Sequence, residues 1–378
     1  MIHVGLLFEY ATLNGGEQSM LAALGQLSGD PDFHFTAFAQ ATGPLSAELR
    51  GAGISLAPFS VRDEHNSKRP ARELLEELNK AVNRCDPPLD LLHANSLSMA
   101  RLVGQLSRSD IKRTGHLRDI IRLNKKVIAD LNASDRLVAV SSATRDFHVS
   151  QGLNRQHCDV LFNGVDTARF CPRPSLPGEL LPVPANAAVI LNVGQICLRK
   201  GQLDLARVVA NWADDAVPVH LVLVGERHST KRESVEYEEE IGAVFERAGR
   251  ADRLHRVGYR EDVPRWMQAA DLLVHTARQE PLGRVLLEAA ACGLPIVATD
   301  VGGTAEILTH RQTAWLVPAD SPDHLQAGIR ETLGNPAAAA ARATAARLRI
   351  CELFDVHSAA ARLADFWRTA VGRPTGSV

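Results

Sequence analysis

Short apolar runs alternate along the whole chain with longer stretches in which apolar and polar residues recur at helical spacing. In the first half the runs predict strands at Ile2–Phe8, Phe33–Phe38, Leu89–His93, Arg113–Leu117, Arg136–Val140 and Val160–Phe162. The stretches between them predict helices, among them Glu17–Leu27, Pro70–Arg84 and Arg118–Leu131. Strand followed by helix, repeated, predicts a parallel sheet covered on both faces.

The alternation stops at Cys171–Ala188, CPRPSLPGELLPVPANAA, which holds five prolines. Proline can continue neither a helix interior nor a central strand, so this segment is predicted as a linker. Strands resume at Val189–Val193, His220–Val224, Leu254–Val257, Asp271–His275, Pro295–Ala298 and Ala314–Val317. Helices are predicted at Gln202–Trp212, Gly283–Cys292, Pro322–Leu333 and Pro336–Leu353, with a last one at Val356–Val371. The organisation expected is an α/β chain of two doubly wound halves facing a central cleft: residues 1–170, a linker 171–188, residues 189–355, and a terminal helix and tail 356–378 packing back toward the first half. Ligands in such folds bind outside the carboxyl ends of the strands, beside loops and helix starts.

Composition narrows the function classes. A length of 378 residues with 45% hydrophobic and 23% charged residues is ordinary for a globular chain of two domains. A formal net charge of -2 lacks the basic excess of a nucleic-acid binder. The six cysteines show no C-x-x-C pair or metal spacing and read as free thiols. The start, MIHVGLLFEY, has no basic leader region, and no apolar run reaches the ~20 residues of a membrane span, so a cytoplasmic location is expected. Two charged stretches stand out. The acidic Glu233–Gly242 reads as a solvated helix face. The basic Lys112–Lys126 has six Lys/Arg and one acidic residue; it fits a solvated face, a phosphorylated acceptor, or peripheral contact with the anionic inner face of a membrane.

Several chemistries lose their main sequence support. There is no G-x-x-x-x-G-K-[ST], no G-x-G-x-x-G after the first strand, and no G-x-S-x-G elbow. Asp30-Pro31-Asp32 has the spacing of a metal-holding pair but sits in GDPDF, where Gly, Asp and Pro make a turn. Asn132 opens a glycosylation sequon and reads instead as a helix end.

The richest stretch is Asp271–Glu306, DLLVHTARQEPLGRVLLEAAACGLPIVATDVGGTAE. A strand leads through a loop into a helix opening near Gly283, where the N–H groups of Gly283, Arg284 and Val285 have no intrahelical partner. That start favours an anion. Glu280 lies before it and Glu288 inside it; eight residues at ~1.5 Å rise is about 12 Å, comparable to the reach from a sugar across a diphosphate to a ribose. A lone glutamate there commonly just offsets the dipole; a pair flanking an anion site suits a nucleotide-sugar, with hydroxyl groups on either side of a diphosphate.

Glu280 and Glu288 as E-x7-E, followed by GLPIVAT (293–299) and Gly302-Gly303 with Glu306, closely resemble the retaining glycosyltransferases of family 4, of GT-B fold. LNGGEQS (13–19), LLHANS (91–96), NGVDTARF (163–170), VGQICLRKGQ (193–202) and VGYREDVP (257–264) are similar to further segments of that family, in the same order. The resemblance implies that Glu280 binds donor-sugar hydroxyls, Glu288 the ribose, and the backbone at Gly283, Arg284 and Val285 the distal phosphate. Lys200 would be the cationic phosphate ligand. Many members carry an arginine where this chain has Gln195; Arg199 is the candidate replacement, or else solvated. Gly15 and Gly16 would let the backbone approach the donor, and Tyr259 and Arg260 would lie at the base. His116 falls where the family has an active-site histidine, with Arg118 and Asp119 at acceptor-facing positions; His275 and His310 read as structural.

The implied reaction moves a sugar from a nucleotide-sugar, UDP preferred over GDP, to an acceptor hydroxyl in carbohydrate or envelope synthesis, with retention and with neither metal nor cofactor. A GT-B epimerase or phosphorylase would use a similar cleft, and a non-catalytic binding protein would be expected to have lost Glu280, Glu288 and Lys200.

Overall fold

The computed structural model describes residues 1–65, 67–173, 180–181, 183–184, 186–213 and 217–375. Of the proline-rich segment 171–188, positions 174–179, 182 and 185 lie outside the described residues, as do the last three of the tail. Contacts divide the chain into two units, Met1–Gly164 with Asp355–Val378, and Val165–Phe354. The division falls ahead of the proline-rich segment because Val165–Phe170 is bound within the second unit. There the Val165 N–H donates to the Phe354 carbonyl, and the Arg169 guanidinium donates to the Glu261 carbonyl at 3.0 Å.

The first unit runs β1 (Ile2–Leu7), α1 (Gly15–Leu27), β2 (Phe33–Ala39), α2 (Pro44–Gly51), β3 (Ser55–Pro58), α3 (Ala71–Asn83), β4 (Leu91–Ala94), α4 (Leu97–Gly104), β5 (Lys112–Leu117), α5 (Lys125–Asn132), β6 (Arg136–Ala139), α6 (Ser142–Val149) and β7 (Cys158–Val160). Its sheet has the order β3-β2-β1-β4-β5-β6-β7, parallel throughout. Every residue of β1 is buried, as a central strand covered on both faces requires.

The second unit runs β8 (Ala188–Val193), α7 (Gln202–Ala210), β9 (Val219–Val224), α8 (Arg232–Arg247), β10 (Leu254–Gly258), α9 (Val263–Ala269), β11 (Leu272–His275), α10 (Arg284–Ala291), β12 (Ile296–Thr299), α11 (Thr304–Ile307), β13 (Trp315–Val317), α12 (Pro322–Gly334) and α13 (Pro336–Leu353). Its sheet, β10-β9-β8-β11-β12-β13, is also parallel. Both are doubly wound, Rossmann-like sheets. The strand order reverses direction between β1 and β4 in the first and between β8 and β11 in the second. These are the crevice positions of such folds.

The last helix, α14 (Val356–Ala370), belongs to the first unit. Trp367 is fully buried in the cluster that holds Ile2, Val4, Phe33 and Phe35. Arg368 bonds Asp32 at 3.0 Å and Asp30 at 3.4 Å, and the Asp32 N–H donates to Asp30 Oδ1 at 2.9 Å. Asp30 and Asp32 are therefore a turn clasped by a terminal arginine.

Some expected elements are different. The helix predicted over Arg118–Leu131 begins only at Lys125, because the Asn124 side chain caps it by accepting the Val127 N–H, while Arg118 is drawn into side-chain bonds that a helical turn would break. The strand predicted at Val160–Phe162 sits two residues earlier, pairing Cys158 with Leu137. Helices α4 and α6 escape a periodicity search because each has only eight residues; Ser96 and Ser141 cap them by accepting N–H groups three residues on. The basic run 112–126 forms no single face. Lys112 and Arg113 on β5 pair with Asp135, Arg118 turns inward, and Arg122, Lys125 and Lys126 are left exposed. The acidic run lies on α8, which buries Tyr237 and Ile241 and pairs Glu236, Glu238 and Glu240 with arginines. No helix among the described residues is long and apolar enough to cross a membrane.

Candidate functional site

In the second unit, the loops leaving β8 and β11 meet where the strand order reverses. After β8 the chain makes a short 3-10 turn, Leu198–Lys200, and ends it at Gly201 in the left-handed region, φ 66°. A side chain at Gly201 would place its Cβ 2.1 Å from the Thr276 carbonyl oxygen, so only glycine lets this loop lie against the end of β11. The Thr276 hydroxyl ties the two by donating to the Lys200 carbonyl at 3.0 Å.

This apposition brings together two of the predicted residues and His275, which the sequence alone reads as structural. Lys200 Nζ lies 2.6 Å from Glu280 Oε2, and His275 Nε2 lies 2.8 Å from the same oxygen. Glu280 and His275 are buried, 6% and 2% exposed, so the ion pair is held largely out of water. Burial alone would raise the Glu280 pKa, but Lys200 and then His275 overcome it, and the carboxyl stays well below the usual carboxylate range. Burial, reinforced by Lys200, lowers the His275 pKa against the opposing pull of Glu280. The resulting unit is a carboxylate, an ammonium and a neutral imidazole that donates Nε2–H to the carboxylate. His275 was legible only as the residue five before Glu280; its orientation comes from the strand end.

Glu280 is also fixed from behind. The Gly303 N–H donates to its carbonyl at 2.9 Å, and a Cβ at Gly302, φ +54°, would lie 2.0 Å from that oxygen. The GG of the sequence motif is thus the seat of the Glu280 backbone.

Helix α10 starts at Arg284, with Gly283 as its N-cap and no side-chain cap. The Leu286 N–H reaches the Gly283 carbonyl at 2.9 Å, so the amides of Arg284 and Val285 come ahead of the first intrahelical donor. Val285 is buried, which leaves it a backbone role. Glu280 precedes the helix in a loop, so helical rise accounts only for Arg284 to Glu288, about 6 Å, and the loop sets the rest of the separation. Glu288 is buried, and Arg284 Nε donates to its Oε1 at 2.7 Å across one turn. That pairing was readable as an i,i+4 spacing.

The other expected residues of this unit lie on neighbouring loops with partners of their own. Arg199 Nη1 donates to the Gln279 carbonyl at 3.0 Å, so it braces the Glu280 loop. Tyr259 is 52% exposed, and its N–H donates to Glu226 Oε1 at 3.0 Å. Arg260 pairs with Asp262 through two bonds, at 2.8 and 3.0 Å, with its guanidinium over the Trp266 ring. Glu226, at the end of β9, was not singled out from the sequence.

In the first unit, the ends of β1, β4 and β5 gather a second polar group. Gly15 and Gly16 open α1 after Asn14, and Glu17 beside them is buried, which raises its pKa. His116, at the end of β5, is 4% exposed; burial, Arg118 and His93 put its pKa well below the ordinary imidazole value. Arg118, half-buried beside it, is tied into the strand ends. Its Nε donates to the Asn95 carbonyl, Nη1 to Asn163 Oδ1, and Nη2 to Asn95 Oδ1, at 2.8 to 3.1 Å. Asp119 is exposed, with its carbonyl 2.8 Å from His148 Nε2. Asn95 and Asn163 stand within quoted motifs but were not picked out.

Residues 14–169 match the family model described as Glycosyltransferase Family 4, and residues 181–349 the one described as Glycosyl transferases group 1. The chain is 29% identical over 255 residues to alpha-maltose-1-phosphate synthase of Mycolicibacterium smegmatis, a stretch that covers 63% of this chain and 64% of that one. It is 29% identical over 169 residues to the lipopolysaccharide core biosynthesis glycosyltransferase LpsD of Rhizobium meliloti, covering 45% and 46%. The chain thus matches less than two thirds of the length of these curated relatives. In fold it is similar to Anabaena HepE, solved with UDP and glucose, at TM-score 0.82 and 22% identity over 98% of this chain and 100% of that one. It is also similar to sucrose-phosphate synthase from Thermosynechococcus elongatus, at TM-score 0.80 and 20% identity over 98% and 99%.

Proposed function

Because the chain belongs to the family 4 glycosyltransferases, matching that family in its first half and the group 1 glycosyl transferases in its second, we propose that it transfers a sugar from a nucleotide-sugar to an acceptor hydroxyl. The observation that carries this reading is the Lys200–Glu280–His275 cluster, its carboxylate and imidazole buried, beside the start of α10. A carboxylate held ionised next to a cation and a helix N-terminus is suited to a ligand that carries both hydroxyls and phosphates. Glu280 accepts hydrogen bonds from sugar hydroxyls, and Lys200 and the α10 amides stabilise the departing diphosphate. Glu288 accepts from the ribose. In the first unit His116 and its neighbours meet a substrate oxygen.

UDP is the favoured nucleotide, in keeping with the UDP bound to HepE. Transfer proceeds with retention, by same-face substitution in which a donor phosphate oxygen helps to take the acceptor proton. Activity is independent of divalent metal, since Lys200 and the helix start supply the positive charge. The exposed Arg122, Lys125 and Lys126 give peripheral contact with anionic lipid at roughly 1 kcal/mol per charge near the surface.

A thermal-shift panel of UDP- and GDP-sugars tests the reading at its base, because a bound donor stabilises the fold by mass action. No shift with any donor rejects it. Proton NMR of the product's anomeric centre reads retention, and a requirement for acceptor separates transfer from epimerase or phosphorylase chemistry. Loss of activity in EDTA, restored by magnesium or manganese, removes metal independence. Failure to sediment with anionic vesicles at low salt removes the membrane contact.

A further inference from the structure

Three side chains around Arg118 have ends that can each be a donor or an acceptor: the imidazole of His116 and the amides of Asn95 and Asn163. A guanidinium can only donate and does not lose its protons at any ordinary pH. Whatever faces it must therefore be an acceptor. Arg118 Nη2 lies 3.1 Å from His116 Nδ1 and 2.9 Å from Asn95 Oδ1, and Nη1 lies 2.8 Å from Asn163 Oδ1. The backbone of Asn95 takes a further bond from Nε at 3.1 Å.

These contacts settle the far ends. His116, neutral in its buried site, has one ring proton; with Nδ1 accepting, that proton is on Nε2. Asn95, with Oδ1 toward Arg118, carries its NH2 on the other side. His116 Nε2 and Asn95 Nδ2 are both buried side-chain atoms with no hydrogen-bond partner among the described residues, on side chains 4% and 1% exposed. A buried N–H without an acceptor is costly, so a pair of them at adjacent strand ends points to an acceptor that arrives with the ligand. His93, edge-on to His116 at 5.6 Å, makes a useful contrast. Its Nδ1 faces the Thr114 hydroxyl at 2.9 Å, and that hydroxyl donates to the Leu92 carbonyl at 3.5 Å, so here the ring proton is on Nδ1, the opposite of His116.

We propose that Arg118 is a positioning residue that holds His116 as the Nε2–H tautomer and turns the Asn95 amide, so that the two present N–H donors to an oxygen of the substrate at the strand ends of the first unit. Gly16 belongs to the same device. Its Cβ, if it had one, would lie 3.0 Å from Arg118 Cδ, so the glycine loop gives the guanidinium the room it needs. The inference rests on the nucleotide-sugar reading for the identity of the ligand, but not for the orientation of the two donors.

The first experiment uses the ligand-free, 15N-labelled full chain. Long-range 1H–15N correlation of the histidine rings, with the His116 signals identified by their loss in His116→Gln, is expected to show a protonated Nε2 and a bare Nδ1. A protonated Nδ1 overturns the proposal, and no further variant has to fold for this result. The second measures hydrolysis of UDP-glucose. Arg118→Lys is expected to lower turnover about 10-fold with KM changed less than about threefold, as for a misplaced contact to the reacting substrate. In a His116→Gln background the same substitution is expected to change turnover less than about twofold. Equal losses in the two backgrounds overturn a role acting through His116. If UDP-glucose neither stabilises nor is turned over by the unaltered chain, the functional reading and the substrate half of this proposal fall together, while the NMR result still decides the tautomer.

Discussion

Glu280 and Lys200 depend on each other, and that dependence separates chemistry from stability. Glu280→Gln is expected to depress kcat on the order of 10²-fold, because in the proposed reaction its hydrogen bonds orient the sugar. It also leaves Lys200, largely buried at 15% side-chain exposure, without its counter-charge, so the melting temperature falls too. Adding Lys200→Met to Glu280→Gln is expected to restore much of the melting temperature and none of the turnover. Recovery of both, or normal turnover in Glu280→Gln alone, would mean that the pair is only structural. In the proposed reaction Glu288 touches a part of the donor that does not react. Glu288→Gln is expected to raise donor KM roughly 10- to 150-fold, the range that follows from a charged hydrogen bond of about 1.5–3 kcal/mol, with kcat little changed. The two glutamates were legible from their spacing and the helix between them. His275 was not, since its contact with Glu280 depends on how the loop after β11 folds back on the strand end.

At the scale of elements, the site is a matter of loops pressed together. Gly302 occupies the left-handed region against the Glu280 carbonyl, so Gly302→Ala combines a conformational cost of about 1–2 kcal/mol with a clash that displaces the loop. The expected outcome is a lower melting temperature together with at least a 10-fold loss of turnover, read by calorimetry and donor hydrolysis. Gly25→Ala on α1, where a Cβ meets nothing within 4 Å, is the control and is expected to be stabilising or neutral. The segment 118–124 shows where element-level reading fails. Its apolar spacing continues that of α5, yet Arg118 forms tertiary bonds and Asn124 caps the helix late. Propensity and periodicity describe a segment alone, and here contacts with β4 and the chain after β7 outweigh them.

At the scale of the molecule, the first unit is completed by the other end of the chain. Trp367 is fully buried against Phe33 and Phe35, with ring centroids 6.0 and 5.8 Å away. Trp367→Ala is expected to destabilise this unit by about 3–5 kcal/mol, measured by denaturant unfolding, while nucleotide-sugar binding assigned to the second unit keeps its affinity in the folded fraction. Buried histidines give both units a common pH response. His93, His116 and His275 have pKa values lowered by burial, His93 to about 3. Below about pH 6.5 the unfolded chain takes up protons that these folded sites refuse, so stability is full above that pH and declines as pH falls. Each such group can contribute a slope of up to about 1.4 kcal/mol per pH unit. Glu280, with its pKa depressed, adds a further loss below about pH 4.5. A denaturation midpoint unchanged between pH 7 and pH 5 would contradict this.

By itself the sequence determined the two α/β halves, most strand cores, and the helix start flanked by Glu280 and Glu288. These are written in runs of consecutive residues, where apolar pattern, proline and glycine act locally. Tertiary structure decided what those residues touch. It paired Lys200 with Glu280 across eighty positions, put His275 on the same oxygen, set the C-terminal helix on β1 and β2, and joined Arg118 to Asn95, Asn163 and His116. Such partners are brought together by parallel strands whose order in the sheet differs from their order in the chain, and a sheet order is a property of the packed core as a whole. Spacing along one segment carries no record of it.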